Sequence, residues 1–291
     1  MSHRKFGDRK EGKFLRTLDP YYAITPFIMR TRSDSQNYFS VQIEITKATN
    51  FIRQKRSEGL ERLGFLHLLV AAYVRMLSQC PQLNRFVSGR RIYSRNDIVF
   101  VMTVKKEMSA EAGETSIKVR FDPADTITDV YNKIEAEIQK VKTNDGESKT
   151  DGAARLLMKT PRFLLQLVVR ILEVLDYFGR LPDSLMEASP FHGSVIVTNM
   201  ASLGIPPIYH HLYNFGNLPV FLSFGAKQRE YELTRDGKVA ERNYMNLAVV
   251  TDERICDGFN YAKGFKYVKS YLRDPAELDV PPAKVNVDVH R

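Results

Sequence analysis

Asn246 to Phe259 reads NLAVVTDERICDGF, an apolar run that stops abruptly in charge. Leu247-Ala248-Val249-Val250 has the composition of a buried strand. Asp252, Glu253 and Arg254, followed by Asp257-Gly258, are too acidic and too glycine-terminated to continue it. Charges gathered where a strand ends mark either a functional loop or a structural ion pair. The stretch by itself leaves both readings open.

Working back from it, Tyr231–Leu233 and the Asp236-Gly237 turn read as a hairpin that leads into this strand. Val220 to Phe224 is a further strand. Before it lies the loop ASLGIPPIYHHLYNFGNLP, with His210 and His211, and before that His192-Gly193-Ser194 introduces the strand Val195 to Asn199. Beyond the signature, Tyr261 to Leu272 has helical spacing and closes the fold. The tail after Asp274-Pro275, residues 276–291, shows no helical period and reads as a mobile end or an exchanged strand.

The first half carries the same mixture. Tyr38 to Thr46 alternates, with Phe39, Val41, Ile43 and Ile45 on one face, and is a strand. A helix from Lys47 to about Gly59 follows, capped by Thr46 or Thr49. Phe65 to Cys80 is an apolar helix ended by Pro81, and His67 among its leucines reads as a satisfied core or boundary histidine rather than a catalytic one. Phe86–Val87, Arg91–Tyr93, Ile98–Val104 and Thr115–Phe121 read as strands, and Ile127–Val141 as a helix. Lys142 to Ala153 is polar and glycine-containing, the expected mobile loop. Residues 161–180 are unusual, because in FLLQLVVRILEVLDYF only Gln166, Arg170, Glu173 and Asp176 are polar. A helix apolar on nearly all sides is expected in the core or at a subunit contact, with binding at a membrane surface as the alternative.

Composition narrows the function classes. No apolar run reaches bilayer-spanning length and MSHRKFGDRK has no apolar signal region, so a cytoplasmic location is expected. Two distant cysteines, Cys80 and Cys256, suggest no disulfide framework, and no metal-ligand spacing occurs. The net charge of +9 is unevenly distributed, with a basic arm at residues 1–35. Residues 1–32 hold eight bases against three acids, a net of +5. Asp19-Pro20 and Thr25-Pro26 there favour extended or turn conformations. Such an arm suits nucleic acid, an anionic membrane, a phosphate-bearing ligand or plain solvation. No helix-turn-helix or RNP pattern accompanies it, which weighs against nucleic acid.

The signature resembles that of the chloramphenicol acetyltransferase and dihydrolipoyl acyltransferase superfamily, where a strand ends in Asp-His-Arg-x-x-Asp-Gly. Asp252, Arg254, Asp257 and Gly258 match residue by residue, and Glu253 stands in the place of the catalytic His. Three more segments are similar in the same order: FSVQIEITKATNFIRQKR, FLHLLVAAYVRMLSQCPQLNRFV and GSVIVTNMASLGIPP. The resemblance covers roughly residues 38 to 275 and implies an acyltransferase-like domain at 36–275. The implied fold is an α/β two-layer sandwich of the chloramphenicol acetyltransferase-like type, with a mixed sheet covered by helices and assembly as a homotrimer or a larger array of trimers. The lipoyl domain and Ala/Pro-rich linkers of the dihydrolipoyl branch are missing from the sequence, so a free-standing member is expected.

By that resemblance the ligand is coenzyme A or an acyl-CoA, and the reaction moves an acyl group to a thiol or hydroxyl acceptor. The carried-over roles are Thr198 as oxyanion donor, with Asn199 beside it, and Asp257 as a structural acid paired with Arg30 or Arg32. Without the resemblance Thr198 is an ordinary β-branched strand residue. Glu253, next to Arg254, occupies the position of the base, and a free carboxylate titrates about two units below imidazole, costing about 2.7 kcal/mol of basicity toward a thiol. The expectation is therefore impaired or altered catalysis, with His210 or His211 as substitute bases. The alternative is a pseudoenzyme that binds acyl-CoA or serves as a trimeric scaffold.

Overall fold

The computed structural model describes residues 4–105, 114–143, 158–159 and 161–289. The signature forms the end of β10 (Val239–Asp252), whose first part pairs with β9 (Gln228–Leu233) across the Asp236-Gly237 turn. Its second part lies between β2 (Gln36–Glu44) and β8 (Val220–Phe224), antiparallel to both. With β7 (Val195–Asn199), β5 (Ile98–Lys105) and β6 (Glu114–Phe121) it builds a seven-stranded sheet of order β2-β10-β8-β7-β5-β6, with β9 on β10. The β7–β8 and β5–β7 pairs are parallel, so the sheet is mixed as expected.

Strand alternation divides the apolar residues between two faces. Phe100, Val197, Leu222 and Val249 enter the main core, which α2 (Thr46–Ser57), α3 (Phe65–Gln79), α4 (Ile127–Thr143) and α7 (Gly258–Arg273) cover. Their neighbours Val101, Ile196, Phe221 and Val250 point the other way and form a smaller cluster with Leu212 and Leu218 of the loop after β7. The result is the α/β two-layer sandwich. A separate three-stranded sheet, β1 (Gly12–Phe14), β4 (Arg91–Arg95) and β3 (Arg85–Ser88), stands beside it in the order β1-β4-β3.

The arm differs from its sequence reading. Pro20 to Ile28 is a helix, α1, because Asp19 accepts the Tyr21 amide and Pro20 sits in the first turn, where it is tolerated. Pro26 lies inside it and withholds the N–H that Tyr22 O would accept. The Thr25 hydroxyl donates to that carbonyl instead, at 2.5 Å. Neither Thr46 nor Thr49 caps α2 with its side chain; Glu44 takes the Thr46 amide at 2.8 Å. His67 is a buried histidine whose Nδ1 accepts from the Gly64 amide at 3.0 Å, while its Nε2 lies 3.5 Å from Glu135 Oε1.

The helix expected at 161–180 exists as α5 (Arg162–Tyr177), but it is not in the core: Phe163 is 76% and Phe178 68% exposed. After the short α6 (Asp183–Ala188) the chain enters β7. The tail is fastened along its own chain rather than loose or exchanged. Asn286 N donates to Ser78 O at 2.8 Å, and Asp288 receives Arg85 Nε and Nη2 at 2.6 Å each. Of the mobile loop expected at 142–153, residues 144–153 lie outside the described residues.

Candidate active site

The signature turn is built around a buried carboxylate. Asp252, fully buried, accepts Arg254 Nε at 2.8 Å and Nη2 at 2.7 Å in a bidentate pair, and the Ser35 hydroxyl at 2.9 Å. Arg254 Nη1 continues to Met29 O at 3.0 Å, while Arg32 Nε stands 4.0 Å from Asp252. Arg32 also donates to Asn214 O and Val87 O, and burial pushes its guanidinium down to about 10. These contacts bind the arm, β3 and the loop before β8 to the end of β10. Charged partners raise the cost of breaking such a pair, since whichever is left is a buried lone charge.

Arg32 thus belongs to Asp252, and Arg30 is exposed, so neither takes the expected place beside Asp257. Asp257 is the N-cap of α7, accepting the Asn260 amide at 2.8 Å, and receives the Tyr22 hydroxyl at 3.0 Å. Burial pushes its carboxyl up, but these hydrogen bonds and the charge of Arg85 outweigh it and hold it below the usual carboxylate range. Neither Tyr22 nor Arg85 carries a sequence signal for this role, because the contacts come from residues far away in the chain. Cys256, between the two sites, is buried and its thiol is pushed well up by desolvation, which removes it as a nucleophile. Glu253 lies outside the network: its amide donates to Ser35 O at 2.8 Å and its side chain is exposed.

A second centre forms at the far end of the sheet. Thr198 sits two residues after Ile196 on the same strand and therefore on the same face, just past the smaller apolar cluster. Its Oγ1 is 3.2 Å from His210 Nε2. The histidine ring stacks on Phe221 with centroids 4.3 Å apart, and burial, with a smaller contribution from His211, pushes it below the ordinary histidine value. It is held neutral at pH 7, able to accept a proton.

The loop that carries His210 is pinned at several points. Ala226 N donates to Ile205 O, Ile208 N to the Ser223 hydroxyl, and Leu212 N to Gln36 Oε1. Gly225 permits the close approach, since a Cβ there would come within 2.3 Å of Pro207 Cδ. His211 is exposed, edge-on to Tyr213, and Asn199 accepts the Ser202 amide to close a short turn. Of the site residues expected from sequence, the structure therefore brings Thr198 and His210 together.

Register separates this pair from Glu253 within one chain. Thr198 is level with Ser223, and Ser223 with Ala248. Asp252 is four residues further along β10, about 13 Å along the strand, and two strands over. Among the described residues no cluster of histidine, cysteine and carboxylate could hold a metal ion. No helix of the described residues is long and apolar enough to cross a membrane.

Comparisons with known proteins agree with this architecture. The family model of the 2-oxoacid dehydrogenases acyltransferase (catalytic domain) matches residues 183–280, a span that includes β7, the His210 loop and the signature. No curated protein matches the sequence. Among solved structures, a probable dihydrolipoamide acetyltransferase from Listeria monocytogenes is 16% identical, with 88% of this chain and 92% of that chain covered and a TM-score of 0.54. A chloramphenicol acetyltransferase is 14% identical over 89% of this chain and 97% of that one, with a TM-score of 0.53. The cubic core of a pyruvate dehydrogenase multienzyme complex is 14% identical over 96% and 97%, with a TM-score of 0.51. Residues 183–280 thus carry the pattern of the 2-oxoacid dehydrogenases acyltransferase catalytic domain, and the chain as a whole has a fold like those of the dihydrolipoamide and chloramphenicol acetyltransferases.

Proposed function

We propose that the protein is a coenzyme A-dependent acyltransferase whose reacting groups are Thr198 and His210, with Glu253 no longer serving as base. The observation that supports this reading is the 3.2 Å contact between Thr198 Oγ1 and His210 Nε2, beside an exposed side chain at position 253. His210 takes the proton of an acceptor thiol or hydroxyl as that atom attacks the thioester carbonyl. The Thr198 hydroxyl turns to donate to the oxyanion, a contribution of about 3 kcal/mol where such donors have been removed. Collapse breaks the carbon–sulfur bond, and the protonated His210 returns the proton to the leaving thiolate. Asp257 keeps a structural part, starting α7 and holding Tyr22.

Exposed apolar residues border this pair, Tyr38 at 55%, Tyr209 at 49% and Ile208 at 45%. A second copy would cover them, so the active assembly is a homotrimer or a larger array of trimers. One observation favours a second reading, a non-catalytic binder or scaffold: Asp252 and Arg254, which flank the family's base position, are consumed by structural contacts.

The test is release of the coenzyme A thiol from acetyl-CoA with small thiol and hydroxyl acceptors, comparing the parent with His210→Ala. Turnover that falls in His210→Ala, while acetyl-CoA still raises the melting temperature of both, supports the enzyme. Equal rates remove His210 as base. A melting shift without turnover in the parent leaves the binder.

A further inference from the structure

Helix α5 is apolar on two sides. Leu165, Val168, Leu172 and Leu175 are partly buried, whereas Phe163, Leu167, Ile171, Val174 and Phe178 form an outward stripe at helical spacing. Arg162 and Arg170 are exposed on the same helix and have no ion-pair partner among the described residues. A second outward apolar set lies on α1, where Ile24, Phe27 and Ile28 are exposed.

The two sets meet at the tip of the β3–β4 hairpin. Gly89, at a φ of +56°, lies so close to the end of α5 that a Cβ would stand 2.5 Å from Tyr177 O. Next to it the Arg90 guanidinium is 5.8 Å from the centre of the Phe27 ring. Beside the end of α5 and the segment that follows α1 opens a cleft of about 400 Å³ whose charged lining is Arg30, Arg32, Arg90 and Arg254 with Glu173 and Asp176. Arg32 and Arg254 are engaged with Asp252 and backbone carbonyls, and Asp176 with His192 and Arg9. Arg30 and Arg90 remain without an acidic partner among the described residues, against Glu173 alone.

We propose that this face binds the surface of an anionic phospholipid bilayer. The α5 stripe, about 24 Å long, lies in the headgroup boundary with Phe27 and Ile28 of α1, and Arg30 and Arg90 take lipid phosphate. A fluid interface takes helices by their exposed apolar sides while its phosphates meet the basic residues beside them. Exposed arginines beside both helices, on a chain of net charge +9, match an anionic surface.

The experiment is co-sedimentation of the full chain with vesicles of phosphatidylcholine alone and of phosphatidylcholine rich in phosphatidylglycerol, at low and physiological salt. Binding to the anionic vesicles only, weakening with salt, is expected. Arg30→Gln with Arg90→Gln should weaken it by about tenfold or more, since a basic residue near such a surface contributes about fivefold. Phe163→Gln, Leu167→Gln and Ile171→Gln together should abolish it, and circular dichroism checks that the fold survives, as all three side chains are exposed. No binding to anionic vesicles at low salt overturns the proposal, as does binding that the stripe variant leaves unchanged. If vesicles do not bind and the stripe variant instead lowers the mass seen by light scattering, the face belongs to a second copy and the proposal fails.

Discussion

The two ends of the central sheet use polar residues in opposite ways. At the end of β10, Asp252, Arg254, Arg32 and Ser35 are buried and joined to one another, so their charges are spent on holding the arm and β3 in place. At the end of β7, Thr198 and His210 are half-buried, in contact with each other, with His210 stacked on Phe221, and bordered by exposed apolar side chains. The end that carries the recognisable signature is the structural one. The end that keeps a hydroxyl beside a neutral imidazole retains chemical freedom.

The largest effect that separates the ends is on stability. Arg254→Met leaves Asp252 buried with only the more distant Arg32, and should cost about 3–5 kcal/mol, the usual range for a broken buried pair. Urea unfolding measures it, and a loss below about 1 kcal/mol would place the network among merely surface pairs. His210→Ala should instead leave the unfolding midpoint nearly in place and lower acyl transfer by about 10²–10⁴. Steady-state thiol release reads that loss, and a matching fall in stability would mean that the histidine is structural.

pH acts on the same contrast with a smaller effect. His67, His192 and His210 are each pushed below the ordinary histidine value of 6.5, chiefly by burial. Their unfolded forms therefore bind protons first as pH falls. The stability they contribute is complete above about 6.5 and is lost as pH drops through the depressed folded values. Urea midpoints at about pH 7.5 and pH 5.5 should differ in that direction, and the acid limb of transfer should sit below 6.5, where His210 gains its proton. The smallest effect belongs to Glu253→Gln. An exposed side chain outside the network should shift the unfolding midpoint by no more than the roughly 0.5 kcal/mol of ordinary surface changes. Its transfer rate should match the parent's. A large loss of rate without loss of ligand binding would restore Glu253 as the base and reverse the comparison.

Much of the scaffold was legible from local pattern. Period-two runs such as Phe39 to Ile45, and the apolar stretch Leu247–Val250, became strands because alternation and β-branching act within a few residues. The arm was misread for the same local reason. Asp19 and the Thr25 hydroxyl supply the hydrogen bonds that make a two-proline segment helical, and proline spacing does not reveal them.

The sequence by itself determined the α/β class, the order of the elements, the signature strand and the charged turn with Glu253 that ends it. Each of these lies in the residue types themselves or in their short-range period. Only the tertiary structure decided that Arg32 serves Asp252 and not Asp257, that Tyr22 reaches Asp257, and that His210 meets Thr198. It also decided that the apolar helix faces outward. These outcomes depend on strand register and on loops returning across the sheet, where contacts join residues more than ten and often hundreds of positions apart. Hydrophobic pattern records how much surface a segment needs to cover, but not which distant segment, copy or interface covers it.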